Sequence, residues 1–281
     1  MRPFKRKSNL RWLPEFPNFK DYKIGEDRLS SQAQNAGEKR SLKKMLVDGM
    51  QLDVDDLHNL TLPRSVDLSR WCSPVEDQGK LNSCAAKAGV SQIEYCQNKA
   101  HNTYTDLSRL FLYKATRNLM NVKGDSGVFN RTTMEAIRLF GAVPESYWPY
   151  SDERAGLTPP YDEEPPPFCY QITDDYKALT CFRLDTRRLD HDDLLLRIKT
   201  VLAAGLACIF GFTVFNSISE ADDNRGFIPA PKADETPAGG HSIMAVGYDR
   251  RRLRVSFHRL DQSEEFVGNG MGQPGLRVAT L

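Results

Sequence analysis

Along this chain the apolar positions change their period once they leave the first sixty residues, and change it again near residue 150. From residue 83 to about 140 they recur at helical spacing. Ser83 can cap a first helix whose inner stripe is Ala86, Gly89 or Val90, Ile93 and Cys96. Asp106 can cap a second, with Leu107, Leu110, Phe111 and Leu119 as apolar contacts. A third, T-T-M-E-A-I-R-L-F-G, ends at Gly141, and Y-W-P-Y then stops the helical pattern. Residues 151–168 are rich in Pro and acid and read as a loop or a crossing between lobes. Beyond them come strand patterns: A-L-T-C-F-R-L, then A-C-I-F-G-F-T-V, then S-I-M-A-V-G-Y. One helix, D-D-L-L-L-R-I-K-T-V-L-A-A, lies between the first two and is closed by Gly205; its Leu-rich stripe is core. The class is α+β, a helical half followed by a β-rich half, and active sites often sit between two such lobes.

Residues 1 to about 60 follow neither period. They hold W-L-P-E-F-P-N-F-K-D-Y, a polar run over 30–44 and an acidic patch over 53–56. This pattern describes an extended arm more than a packed domain. A floppy tail competes with an arm laid along the body, where Trp12, Phe16, Phe19 and Tyr22 find a dry surface.

Composition narrows the partners. Of 281 residues, 38 are Lys or Arg and 37 are Asp or Glu, a net charge of +1 that gives no reason to expect nucleic acid or an anionic membrane. No apolar run reaches the length of a membrane span. The start MRPFKRKSNLRWLPEF lacks an apolar signal region, so a cytoplasmic address is the default expectation, with non-classical export still open. Six cysteines form no CxxC pair, which argues against a zinc ribbon and a dense disulfide scaffold. Cys169 and Cys181 are the best-placed pair for one isolated bridge, against the simpler reading of buried core thiols.

Chemistry concentrates in D-Q-G-K-L-N-S-C-A-A. A cysteine in the first turn of a helix meets unpaired N–H groups and the positive end of the dipole, which favour thiolate. A lone helix-start cysteine is more often core, so partners decide the matter. Of His58, His101, His191, His241 and His258, only His241 follows a double glycine (Gly239, Gly240) and opens an alternating strand. Those glycines let the backbone pass close to a ligand. Gln78, six residues before Cys84, can join the Cys84 N–H in holding a tetrahedral oxyanion. These features point to nucleophilic catalysis by Cys84 with His241 as base and acid. No metal or organic cofactor is required for it.

Q-G-x-x-x-S-C before a helix, L-S-R-L-F-L-Y, G-D-S-G, Y-W-P-Y, G-F-I-P and G-G-H-S-I-M-A-V-G-Y-D together resemble the papain family of cysteine peptidases, and more closely its bacterial branch. The Cys-to-His spacing is slightly longer than the roughly 130–150 residues usual there. The resemblance runs from about Leu62 to Asp249 and includes L-P-R-S-V-D-L at the expected mature start. It implies a two-lobed fold over 61–281, with a helical lobe at about 61–150 and a β-rich lobe at about 165–250. It also implies cysteine-type endopeptidase activity on protein or peptide substrates. Gly124, Asp125, Ser126 and Gly127 would border the substrate groove, and residues 1–60 would match an inhibitory prosegment lying in it.

Departures from the family are specific. Leu81-Asn82 stand where Cys-Gly is usual, so the disulfide found there cannot form, and Ala85 replaces a Trp. The tail 251–281 lacks the N-S-W-G motif whose Asn orients the imidazole; Asn269, in Asn-Gly, reads as a turn. The Arg250 to Arg254 run reads as solvated or out of frame, not as a nucleic-acid site. Codons permitted for residues 265–281, read one nucleotide later, allow N-S-W-G-T-A-W-G-N-R-G-Y-G-W-L-P-Y. Met271-Gly272 force the second Trp of that run. The expectation is therefore a frameshift between about Asp249 and His258. Two other readings stay open: an impaired peptide-binding relative, because the tail as written lacks the orienting Asn, or a Cys-dependent acyltransferase whose Cys–His pair serves an amine instead of water.

Overall fold

The computed structural model describes residues 61–153, 158–173, 176–178, 181–185, 191–221, 228–232 and 234–249, with the backbone of three further strands up to residue 280. The arm at 1–60, Asn269 and most of the tail lie outside the described residues.

The first three helices are α1 (Cys84–His101), α2 (Arg109–Met120) and α3 (Asn130–Phe140). Asn102 and Asn121, both left-handed, terminate α1 and α2, and Gly141 at φ 67° terminates α3 as the sequence predicts. Two expected caps differ. Ser83 precedes α1 but its side chain makes no capping bond. The cap of α2 is Ser108, whose Oγ accepts from the Phe111 N–H at 3.1 Å. Asp106 instead accepts from Arg109 at 2.6 Å, because a fully buried guanidinium demands a carboxylate more strongly than a helix end does.

α1 is buried on nearly every side, including Lys87, Gln92 and Glu94. It packs so closely on α2 and α3 that a Cβ at Gly89 would lie 2.9 Å from Thr133 and 3.2 Å from Leu112. Its charges are met by a buried network. Arg109 contacts Glu76 at 2.6 Å and Glu94 at 3.3 Å, and Lys87 sits 3.6 Å from Glu76 and 3.9 Å above the Tyr150 ring.

Two more helices follow, α4 (Pro167–Gln171) and α5 (His191–Ala203), the second closed by Gly205 at φ 76°. The strands are β1 (Ser65–Asp67), β2 (Phe182–Arg183), β3 (Cys208–Phe215), β4 (Pro237–Asp249), β5 (Arg252–Ser256), β6 (Phe266–Gly268) and β7 (Arg277–Thr280). They form one antiparallel sheet in the order β2-β7-β3-β4-β5-β6, with β1 also paired to β4. The thirteen residues of β4 carry β3 along most of one edge and β1 along its last three positions. The tail, which alternates poorly in sequence, supplies three of these strands, two of them, β5 and β7, inside the sheet and β6 at its edge.

One apolar cluster runs from α1 and α3 through α5 to β3 and β4. The expected Cys169–Cys181 bridge is absent: all six cysteines are free thiols. Cys169 packs with Phe111 and Val143, while the Cys181 thiol lies 3.5 Å from the Met134 carbonyl oxygen. The two therefore belong to different contacts. No helix among the described residues is long and apolar enough to cross a membrane.

Candidate active site

The segment before α1 is a turn held by a series of hydrogen bonds. Asp77 accepts from the Gly79 N–H at 2.7 Å, the bond an aspartate makes to start such a turn. Gly79 has φ +55°, and a Cβ there would fall 2.3 Å from the Asp152 carboxylate. That carboxylate receives the Lys80 N–H at 3.0 Å. Gln78 turns inward and donates through Nε2 to the Leu81 carbonyl at 2.9 Å. The Tyr150 hydroxyl bonds both the Gln78 carbonyl and the Ser83 hydroxyl at 2.8 Å.

The turn delivers Cys84 to the first position of α1, buried at 2% exposure. Its thiol meets the backbone N–H groups of Ser242, Ala85 and Cys84 itself. Ser242 directly follows His241 on β4, so the Cys84 thiol meets a strand that lies far away in sequence and carries the imidazole at its neighbouring position. His241 is 3% exposed and pairs with Phe212 of β3, their rings meeting edge-on with centroids 6.1 Å apart. It lies inside the strand rather than opening it, because β4 begins at Pro237. Gly239 and Gly240 occupy the partly exposed start of that strand, opposite Val214 and Thr213.

Burial dominates the titration of both groups. It pushes the Cys84 thiol up to about 11, against three backbone N–H groups that favour thiolate and with the Asp125 charge pushing further up. Burial alone pulls His241 down to about 4. Burial thus disfavours the charged form of both groups in the closed site.

The loop 122–128 packs against the same turn. Gly124 and Gly127 both have φ +74°. Arg117 donates to the Gly124 carbonyl at 2.6 Å and to Asp162 at 2.5 Å, and the Gly124 N–H faces both Asp162 oxygens at 3.1 Å. From this loop Asp125 reaches Asn82, two residues before Cys84. At the start of α3, Asn130 accepts from the Ser242 hydroxyl at 2.7 Å and ties that helix to the histidine strand.

Cys84 therefore meets the histidine strand at Ser242, and Gln78 lies in the turn that leads into the same helix start. The sequence reading missed Asn82, Tyr150, Ser242 and Asn130. Y-W-P-Y stood out as a turn, but nothing in it signals that its last tyrosine reaches back to Gln78. Among the described residues no group of three or more His, Cys, Asp or Glu could hold a metal ion.

No family model matches the chain. It is 32% identical over 214 residues to an uncharacterized peptidase C1-like protein of Acanthamoeba polyphaga mimivirus, a match covering 74% of this chain and 63% of that protein's length. In structure it resembles xylellain, a cysteine protease from Xylella fastidiosa, with a TM-score of 0.72 and 24% identity over 98% of this chain and 96% of that one. It also resembles a procathepsin B from Trypanosoma congolense, with a TM-score of 0.57 and 15% identity over 81% and 80% of the two chains.

Proposed function

We propose that this chain, papain-like in fold, is a cysteine-type endopeptidase made as a zymogen, acting on protein or peptide substrates. The observation that carries the reading is the Cys84 thiol at the start of α1, held against the Ser242 N–H beside His241 with Gln78 behind it. The proton of Sγ moves to the imidazole as sulfur attacks the carbonyl carbon of a peptide bond. The oxyanion that forms accepts from the Cys84 N–H and from the Gln78 Nε2 hydrogen not given to Leu81. The imidazolium protonates the departing amine, leaving a thioester. Water, giving a proton to the imidazole, then attacks that thioester and returns the thiol.

Residues 1–60 act as the inhibitory segment in this reading. The papain-like fold, shared with a proform among the structural neighbours, supports it. Loop 124–127 and Gly239-Gly240 line the substrate groove. A second reading, a peptide-binding relative of low turnover, is favoured by one observation: Cys84 and His241 are both buried, which disfavours the charged form of each.

A thiol-directed epoxide tests the choice. Labelling of the full chain that is lost in Cys84→Ala, together with peptide hydrolysis lost in the same variant, supports the peptidase. Absence of both after removal of 1–60 favours the binding protein. Product analysis with an added amine acceptor separates hydrolysis from acyl transfer.

A further inference from the structure

Asp125 stands in the loop that borders the groove, yet its carboxylate faces the protein. Its Oδ1 accepts from the Asn82 backbone N–H at 2.7 Å and from the Tyr113 hydroxyl at 2.7 Å. Its Oδ2 accepts from the Asn82 side-chain Nδ2 at 2.8 Å, and its backbone oxygen takes a second bond from that Nδ2 at 3.0 Å. Four bonds thus gather on one residue, three of them from Asn82. Tyr113 is fully buried on α2, and burial beside this carboxylate raises its hydroxyl, which keeps it a donor.

Asn82 occupies a decisive place. It separates Leu81, whose carbonyl aims Gln78, from the Ser83-Cys84 step that presents the second oxyanion donor. A shift of the Asn82 backbone therefore moves both donors at once. Catalytic geometry tolerates little such movement, and about 1 Å can cost roughly 100-fold in rate. The other side of the turn is held by Tyr150, so Asp125 and Tyr150 grip it from opposite walls. A carboxylate is better suited than an amide here, because it accepts on both oxygens while every group facing it donates.

We propose that Asp125 is a positioning residue: through Asn82 it locks the turn that carries both oxyanion donors, and it is not itself a contact for substrate. This deepens the peptidase reading and rests on it, but the lock can be measured separately.

The test uses the full chain and three variants: Asp125→Ala, Asp125→Asn, and the exchanged pair Asn82→Asp with Asp125→Asn. The exchanged pair keeps an amide donor facing a carboxylate with the direction reversed. Amide hydrogen exchange of the segment 78–84 is followed with peptide hydrolysis. Asp125→Ala is expected to speed exchange of that segment at least tenfold and to lower kcat at least tenfold, with KM changed less than threefold. The exchanged pair is expected to recover part of both losses, because a carboxylate at position 82 cannot replace the bond that Asn82 Nδ2 gives to the backbone oxygen of residue 125, and Asp125→Asn alone to recover less. Unchanged exchange in Asp125→Ala, or a raised KM with kcat intact, overturns the lock and makes Asp125 a substrate contact. Additive effects in the exchanged pair also overturn it. If the chain hydrolyses nothing even after residues 1–60 are cleaved away, the peptidase reading fails, and exchange of 78–84 still decides whether the lock exists.

Discussion

The Tyr150 hydroxyl donates to the backbone carbonyl of Gln78 at 2.8 Å, across 72 positions of sequence. The same oxygen meets the Ser83 hydroxyl, so one phenol spans both ends of the turn before Cys84. Tyr150→Phe keeps the ring beneath Lys87 and removes only these bonds. It is expected to lower stability by about 1 kcal/mol and to reduce kcat/KM several-fold. Denaturant unfolding and peptide hydrolysis check both, and unchanged values for the two mean that the turn holds without Tyr150.

Gly79 is strained for any other residue, with φ +55° and the Asp152 carboxylate 2.3 Å from where a Cβ would sit. Gly79→Ala is expected to cost about 1–3 kcal/mol of stability. Adding Asp152→Ala relieves the clash but not the backbone strain, so the double variant recovers only part. Full recovery shows that the clash, not φ, sets the requirement.

Burial first, against the pull of Arg109, raises Glu94 from 4.5 to about 7, and burial raises Glu145 likewise. Between those values the folded state binds more protons than the unfolded one, so stability falls as pH rises from about 4.5 to about 7. Lys87, lowered by burial from 10.5 to about 8, acts oppositely, and stability recovers as pH rises from about 8 to 10.5. Glu94→Gln is expected to flatten the first slope, by at most about 1.4 kcal/mol per pH unit. Urea unfolding of both forms from pH 4.5 to 7 measures the difference, and parallel curves exclude Glu94 as its source.

With its thiol near 11, Cys84 is expected to react with a small alkylating reagent about tenfold faster per pH unit through pH 9. The thiolate fraction rises with pH throughout that range. A rate already level below pH 7 shows instead a thiolate held by protonated His241.

The frame of the tail is open to direct reading. DNA covering residues 249–281 is expected to encode Asn-Ser-Trp one nucleotide out of register. A frame-restored chain is expected to hydrolyse peptides at least about tenfold faster than the 281-residue form, since groups that orient a catalytic imidazole are worth at least that. Equal rates, or no such run, end the idea.

The sequence by itself determined the elements and the types of residue at the centre. Helical spacing located α1 to α3 and α5, alternation located β3 and β4, and Gly141 and Gly205 fixed two helix ends. The order Gln78, Cys84, Gly-Gly-His241 stood out because the proposed donor, nucleophile and base each need a particular chemistry in a particular local setting. Only tertiary structure decided what holds them. Ser83 looked like a cap and is a partner of Tyr150; Asp106 looked like a cap and serves Arg109. Asp125 binds Asn82 across 43 positions, and the Ser242 N–H meets a thiol from the other half of the chain. Local propensity is a matter of a few neighbouring bonds, so a sequence displays it. Polar groups that are buried take whichever partner the packed chain brings within reach, and no period along the sequence records that choice.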